Sequence, residues 1–241
     1  MMQERRIFVT GASGGIGAAL VKELLKDGHW VAAADVVKPE LVTGKESLLT
    51  LKLDVRNSDD CQVAVNQVIE SFGHIDTLIN VAGICYGGDP LTANVDEWSE
   101  TFDVNVKGMF QLTQLTLPYL QQSKRADIIN ISSVWGVDYN PNLLSYSASK
   151  FAVEGYTGGL RAWAFPKNIR VTSLQVDKVD TGFRRHLGEK GEFPTEQLRK
   201  MLTPEDIASA VRFALNMPAT GCVSSVRLDA PLWYKNDTEN D

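Results

Sequence analysis

A doubly wound parallel α/β sheet in a single domain, residues 1–241, is the fold class that the sequence predicts, and three observations predict it. Short apolar runs alternate with amphipathic helical stretches, the pattern of strand–helix–strand units. A glycine-rich turn, Thr10-Gly11-Ala12-Ser13-Gly14-Gly15-Ile16-Gly17, joins the first such strand to the first such helix. The length of 241 residues with 44% hydrophobic content suits one large α/β domain.

Ile7 to Val9 reads as a buried parallel strand. Ile16, Ala19, Leu20 and Leu24 then recur at helical spacing, and Gly28 is placed to stop the helix. Gly11 permits the tight turn, and Gly15 and Gly17 let backbone approach a pyrophosphate and a neighbouring strand. The helix N-terminus offers free N–H groups and a favourable dipole to phosphates. A glycine cluster alone is usually just a loop; with a strand before it and a helix after it, a dinucleotide site of Rossmann type is expected. Trp30 to Ala34 is a second strand ending in Asp35, 18 residues beyond Gly17. An acid there accepts bonds from two ribose hydroxyls and repels a 2′-phosphate. Positions 14 and 36 are Gly14 and Val36, with no cation to neutralise it. NAD is therefore expected in preference to NADP.

Val36 to Ser47, with Pro39 and Gly44, reads as a loop. Leu49, Leu51 and Leu53 alternate as a third strand, and Asp54-Val55 closes it, placed to meet an adenine edge. Ser58 is expected to cap a helix from Asp59 to Phe72, with Val65, Val68, Ile69 and Phe72 as its apolar stripe. Asp76 to Val81 is a fourth strand, and Ala82-Gly83 gives close backbone access at its carboxyl end, where ligands of open α/β sheets gather. Asp96 to Gln122 is one long helical stretch that Pro118 either bends or ends early. Asn105 within it is expected, on residue type alone, to face solvent.

Ile128 to Ile131 is the next strand. A helix follows from near Leu144 to Phe165, made small on one side by Ala152, Gly155, Gly158, Gly159 and Ala162. Ile169 to Gln175 is a sixth strand. Residues 182–202 have the composition of a mobile lid, with Arg184, Arg185 and His186 set among Phe183, Leu187 and Phe193. That basic trio either meets an anionic substrate or is simply solvated. Thr203-Pro204-Glu205-Asp206 starts a helix that runs to about Leu215. Val223 to Leu228 is the last strand, and residues 235–241 are expected to fray.

The candidate chemistry lies between Ser132 and Lys150. Tyr146 and Lys150 are four apart, which on a helix puts both side chains on one face. A free tyrosine titrates near 10, too high for proton transfer at neutral pH, and a nearby ammonium favours the phenolate. Ser133 follows the apolar run and is placed to hydrogen-bond the oxygen that Tyr146 serves. The same spacing describes many exposed helix faces; the glycine turn at the other end of the chain is what gives the pair a use.

The net charge of −6 gives no reason to expect nucleic acid or an anionic membrane as a partner. Cys61, Cys85 and Cys222 are scattered, form no metal-ligand spacing and suggest a reducing compartment. No apolar run approaches the length of a membrane span and no signal-peptide core is present, so a cytoplasmic protein is expected.

Together the motifs resemble those of the short-chain dehydrogenase/reductase (SDR) family, from Ile7 to about Leu228. The resemblance rests on T-G-x-x-x-G-x-G at Thr10 to Gly17, Asp54-Val55, N-x-A-G at Asn80 to Gly83, Asn105 in Val104-Asn105-Val106, Ser133, and Tyr146-x-x-x-Lys150. It implies an NAD(H)-dependent oxidoreductase that interconverts a secondary alcohol and a ketone on a small molecule. Tyr146 would be the general acid or base. Lys150 would support it and bind the nicotinamide ribose, Ser133 would steady the substrate oxygen, and Asn105 would anchor a water in a proton relay. Cofactor contacts are expected from Gly11, Ser13, Gly15, Ile16, Gly17, Asp35, Asp54, Val55, Asn80, Ala82, Gly83, Tyr146, Lys150, Val179 and Thr181. Substrate contacts are expected from Ser133, Trp135, Tyr146, Asp177 and Phe183, and the assembly is expected to be a homodimer or homotetramer.

Three features depart from the family pattern. Val81 replaces a second asparagine. Val176-Asp177 stands where Pro-Gly is usual beside the nicotinamide, and Asp177 either touches substrate or points to solvent. The chain also lacks the glycine-rich turn after its last strand. The second departure keeps open another reading, a nucleotide-binding sensor or scaffold of the same fold with little or no turnover. The short segment between Asp35 and Leu49 resembles that of a minority of the family, some of which aromatise cyclic dihydrodiols.

Overall fold

The computed structural model describes residues 4–40, 46–183 and 192–235. Seven strands, β1 (Arg6–Thr10), β2 (Trp30–Asp35), β3 (Leu48–Lys52), β4 (Thr77–Asn80), β5 (Ala126–Ile131), β6 (Ile169–Val176) and β7 (Ser225–Leu228), form one parallel sheet. Their spatial order is β3-β2-β1-β4-β5-β6-β7. The chain moves outward from β1 through β2 to β3, then returns to lay β4 on the other side of β1, with Val9 level with Ile79. The strand order reverses there, which opens a crevice beyond the carboxyl ends of β1 and β4.

Alternation along the strands feeds two cores. Phe8, Ala32, Ile128 and Val171 face helices α2 (Ser58–Phe72), α4 (Met109–Leu120) and α5 (Leu144–Ala164). Ile7, Val9, Val31, Ile129 and Leu174 face α1 (Gly15–Lys26) and α7 (Pro204–Asn216), which follows the one-turn α6 (Thr195–Leu198). A sheet covered on both faces needs strands that are apolar on both, and β5 is buried at all six positions. At the opposite, amino-terminal edge of the sheet, the Asp127 carboxylate takes Arg5 at 2.7 Å and Arg170 Nε at 2.7 Å. The same Arg170 guanidinium reaches the last carbonyls of α7.

Helix ends follow local chemistry. α1 stops at Asp27, before Gly28, whose φ of +84° suits glycine. Thr203 and Asp206 form a reciprocal capping box on α7, with Pro204 in its first turn. The cap of α2 is Asn57, whose Oδ1 accepts from the amides of Asp59 and Asp60, and the expected cap Ser58 is the first helical residue instead. Both types cap well; the chain enters the helix one residue earlier.

The long helical stretch holds together but changes its winding. α3 (Val95–Phe102) runs through a π-helical segment, Asp103–Gly108, into α4. Pro118 lies inside α4 and does not end it; it removes its own N–H from the ladder, and the helix closes two residues later. Asn105 sits in the π segment and is buried, 2% exposed, contrary to the solvent-facing expectation. The described parts of the 36–47 segment contain no helix. Its residues 41–45, the expected lid residues Arg184, Arg185, His186 and Leu187, and all but the first residue of the 235–241 tail lie outside the described residues. Among the described residues no helix is long and apolar enough to cross a membrane.

Candidate functional site

A cavity of about 580 Å³ occupies the crevice. At one end it is walled by the glycine turn, Asp35, Asp54 and Val55, and at the other by Tyr146, Trp135, Val176, Lys178 and Phe183. Between them Val81, Ala82 and Gly83 form its floor at the end of β4.

The turn is shaped by backbone needs. Gly11 has φ +64°, and a Cβ there would stand 2.7 Å from the amide of Ala82. No side chain therefore fits where the turn crosses the end of β4. A Cβ on Gly15 would meet Thr181 Cγ2 at 2.6 Å, so the segment after β6 closes directly on the turn. Gly14 caps α1 without a side-chain bond, which leaves the first-turn amides available to an anion. The Asp35 carboxylate accepts the Ser13 N–H at 2.8 Å, and Ser13 Oγ donates to the Val37 carbonyl at 2.8 Å. The acid is thus held at the mouth of the turn. Asp54 is engaged differently: Arg56 Nε and Nη2 reach its carboxylate at 2.9 and 2.7 Å, and Arg56 Nη1 reaches Glu100. The guanidinium beside Asp54 holds that carboxyl below its ordinary range.

At the far end, α5 carries Tyr146 and Lys150 on one face. Both are buried, at 8% and 5% exposure. The Tyr146 ring packs on Cys85, Leu143 and Trp135 and meets the Phe183 ring edge-on at 6.1 Å. Lys150 Nζ lies 5.6 Å from the Tyr146 ring centre and donates to the Ile131 carbonyl at 2.9 Å. Burial pulls the ammonium down to about 8, partly opposed by Cys85 and Glu154. Ser133 follows β5, with its Oγ accepting the Trp135 N–H at 3.2 Å and donating a long 3.3 Å bond to the Val176 carbonyl.

Two expected site residues do not line the cavity. Asn80 turns its amide to Asn130 at 2.8 Å and Thr113 at 3.3 Å, joining a buried chain of side chains between β4, β5 and the helices. Asn105 grips the backbone of Ile84 in both directions, at 2.8 and 2.9 Å, and donates to Ser149 Oγ at 3.0 Å. A Cβ on Gly83 would lie 3.2 Å from Asn105 Oδ1 and 3.8 Å from Lys150 Nζ. The asparagine and lysine therefore approach the same point from two sides.

Asp177 does not point to solvent, one of its two expected courses. Its side chain is 1% exposed. Oδ2 accepts the Ala230 N–H at 3.2 Å and Oδ1 takes Lys178 Nζ at 3.3 Å. The residue borders the cavity while its carboxylate is turned back onto the segment that follows β7. Lys178, Trp233 and Tyr234 are residues that the sequence reading missed. A Trp-Tyr pair soon after the last strand was the available signal, since an aromatic pair seldom stays unpacked.

A parallel sheet with a glycine turn at its switch point, an acid at the end of β2, and a buried tyrosine–lysine pair across the crevice define a dinucleotide-binding oxidoreductase. The family model for short chain dehydrogenases matches residues 5–192, and the chain belongs to that family. Over 182 residues it is 40% identical to a 3-ketodihydrosphingosine reductase of Bacteroides thetaiotaomicron, covering 76% of this chain and 66% of that one. The chain thus matches about two thirds of that reductase's length. Among solved structures, a serine dehydrogenase complexed with NADP+ superposes with TM-score 0.81 at 28% identity, over 92% of this chain and 93% of that one. The 3-ketoacyl-(acyl-carrier-protein) reductase of Brucella melitensis complexed with NADH superposes with TM-score 0.84 at 24% identity, over 94% and 97% of the two chains. These neighbours hold one or the other nicotinamide coenzyme, and a nicotinamide cofactor fits this chain's turn, acid and cavity.

Proposed function

We propose that the protein is an NAD(H)-dependent oxidoreductase that interconverts a secondary alcohol and a ketone on a small molecule. The observation that carries this reading is the placement of Tyr146 and Lys150 in one cavity with the glycine turn and Asp35. The first-turn amides of α1 would hold the pyrophosphate, Asp35 the adenosine ribose hydroxyls, Val55 and Asp54 the adenine edge, and Val179 and Thr181 the nicotinamide end. Asp35 lines the cavity beside the glycine turn with Gly14 and Val36, not cations, next to it, which supports NAD over NADP. When bound, the nicotinamide accepts or donates the hydride.

The chain's own groups do the rest. In alcohol oxidation Tyr146 takes the hydroxyl proton as the hydride leaves carbon; in ketone reduction it returns that proton to the oxygen. The Lys150 ammonium, buried and one turn away, stabilises negative charge on the phenol oxygen. Ser133 releases the Val176 carbonyl and donates to the substrate oxygen. Asn105 fixes the Ile84 backbone next to Lys150, where a water in the proton path would bind. Phe183 and Trp135 shield the reacting atoms from solvent.

The departure at Val176-Asp177 favours the sensor reading less once the Asp177 carboxylate is seen to be buried against Ala230. Gly155, Gly158 and Gly159 have open space where a Cβ would stand, and Phe151 and Trp163 of the same helix are exposed. Such a face supports a homodimer or homotetramer. Cys61, Cys85 and Cys222 form no disulfide among the described residues, which fits a reducing, cytoplasmic setting. The test is a panel of secondary alcohols with NAD and NADP, and of ketones with NADH and NADPH. Turnover that favours NAD(H) is expected. Tight NADH binding with no turnover on any member would leave the sensor reading in its place.

A further inference from the structure

The substrate end of the cavity is apolar on most sides and also carries Ser133, Tyr146, Asp177 and one cation. Trp135, Phe183, Phe193, Leu198 and Met201 supply its walls. Of the three cationic residues among the described cavity lining, Arg56 is committed to Asp54 and Glu100 at the adenine end and Lys150 is buried behind Tyr146. The third, Lys178, stands at the substrate end.

Its ammonium is unusually well placed for a surface-derived lysine. Nζ lies 5.7 Å from the Trp135 ring centre, 5.0 Å from that of Trp233 and 4.7 Å from that of Tyr234, the distances of cation–π contact. It donates to Tyr234 Oη at 3.1 Å and to Asp177 Oδ1 at 3.3 Å. An ammonium has three donors. The third has no acceptor among the described residues, and the side chain keeps 20% exposure. Asp177 is itself pinned by the Ala230 amide, so the bracket is held on every other side. Trp135 connects the two ends of this region, packing on Tyr146 as well as lying beside Lys178.

We infer that Lys178 is a specificity-determining residue: its third N–H donates to a second oxygen on the substrate, set apart from the reacting carbonyl along an apolar body. This rests on the oxidoreductase reading of the same cavity. The paired Asp177 carboxylate already balances the ammonium, so the position favours a neutral acceptor, a hydroxyl or carbonyl, over a carboxylate. The substrate class is therefore an oxygen-bearing apolar ketone or its alcohol.

The test separates binding from turnover. Tyr146→Phe protein loaded with NADH is titrated with a medium-chain methyl ketone, with the same ketone hydroxylated at successive carbons, and with its terminal carboxylate, following tryptophan fluorescence. One hydroxylated ketone should bind at least tenfold more tightly than the plain one, equivalent to about 1.4 kcal/mol, and the carboxylate should gain less. Adding Lys178→Met should bring the ratio of hydroxylated to plain ketone close to one, and Lys178→Leu, which also lacks a donor, serves the same comparison should the methionine variant not fold. No preference in the parent protein, a preference retained without the lysine, or a carboxylate bound best would each overturn the inference. Turnover is measured separately in the protein with Tyr146 intact. If no ketone is reduced there while the binding ratio still depends on Lys178, the oxidoreductase reading fails and the anchor stands.

Discussion

The Lys150 ammonium lies 5.6 Å from the centre of the Tyr146 ring, one turn further along the same face of α5. It donates to the Ile131 carbonyl, at the carboxyl end of β5. A charge in that position is costly to bury and is kept where it acts on a neighbour.

That cost gives a pH signature. The buried ammonium titrates near 8, while a lysine in the unfolded chain titrates near 10.4. Between those values the unfolded state binds more protons, so stability rises with pH across that window and the full penalty is present below it. Comparing Lys150→Met with the parent by denaturant unfolding at a series of pH values should show their stability difference change by on the order of 3 kcal/mol between about pH 8 and pH 10. A difference that stays flat would mean the lysine is not buried as described. Turnover of the variant should fall at least a hundredfold.

Asp35 should set the coenzyme preference. With Asp35→Ala, the ratio of kcat/KM for NAD to that for NADP should narrow by tenfold or more, because the 2′-phosphate no longer meets a carboxylate. Measuring both coenzymes before and after checks this, and an unchanged ratio would remove the acid from the ribose site.

Gly11→Ala should destabilise the fold. The residue would be held at φ +64° with its Cβ 2.7 Å from the Ala82 amide, and the backbone term alone is about 1–3 kcal/mol. A melting temperature lower by several degrees is expected, together with weaker NADH binding as the turn lifts from β4.

Features set by local chemistry were legible in the sequence. The turn from Thr10 to Gly17, Asp35 closing β2, the helix start at Thr203-Pro204 and the Tyr146–Lys150 spacing each follow from short-range rules, and each is where those rules put it. What escaped depended on contacts between distant segments or on choices between near-equals. Asn57 and Ser58 are comparable caps, and only the path of the entering chain decides between them. The π segment adds no side-chain period of its own, so Asn105 read as a surface residue until the Ile84 backbone was seen to need it. Asp177 turned inward because Ala230, 53 positions later, offers it an amide. The bracket around Lys178 needs Trp135, Trp233 and Tyr234 brought from two parts of the chain.

The most direct trial of the central claim is steady-state oxidation of NADH by a ketone that the parent protein reduces, repeated with Tyr146→Phe and accompanied by an NADH binding titration. Loss of kcat by a factor of about 10²–10⁴ is expected for removal of a general acid, with the NADH dissociation constant within about threefold of the parent, since the ring stays in its packing against Cys85, Leu143 and Trp135. A variant that turns over at the parent rate would contradict the assignment of the phenol as proton donor.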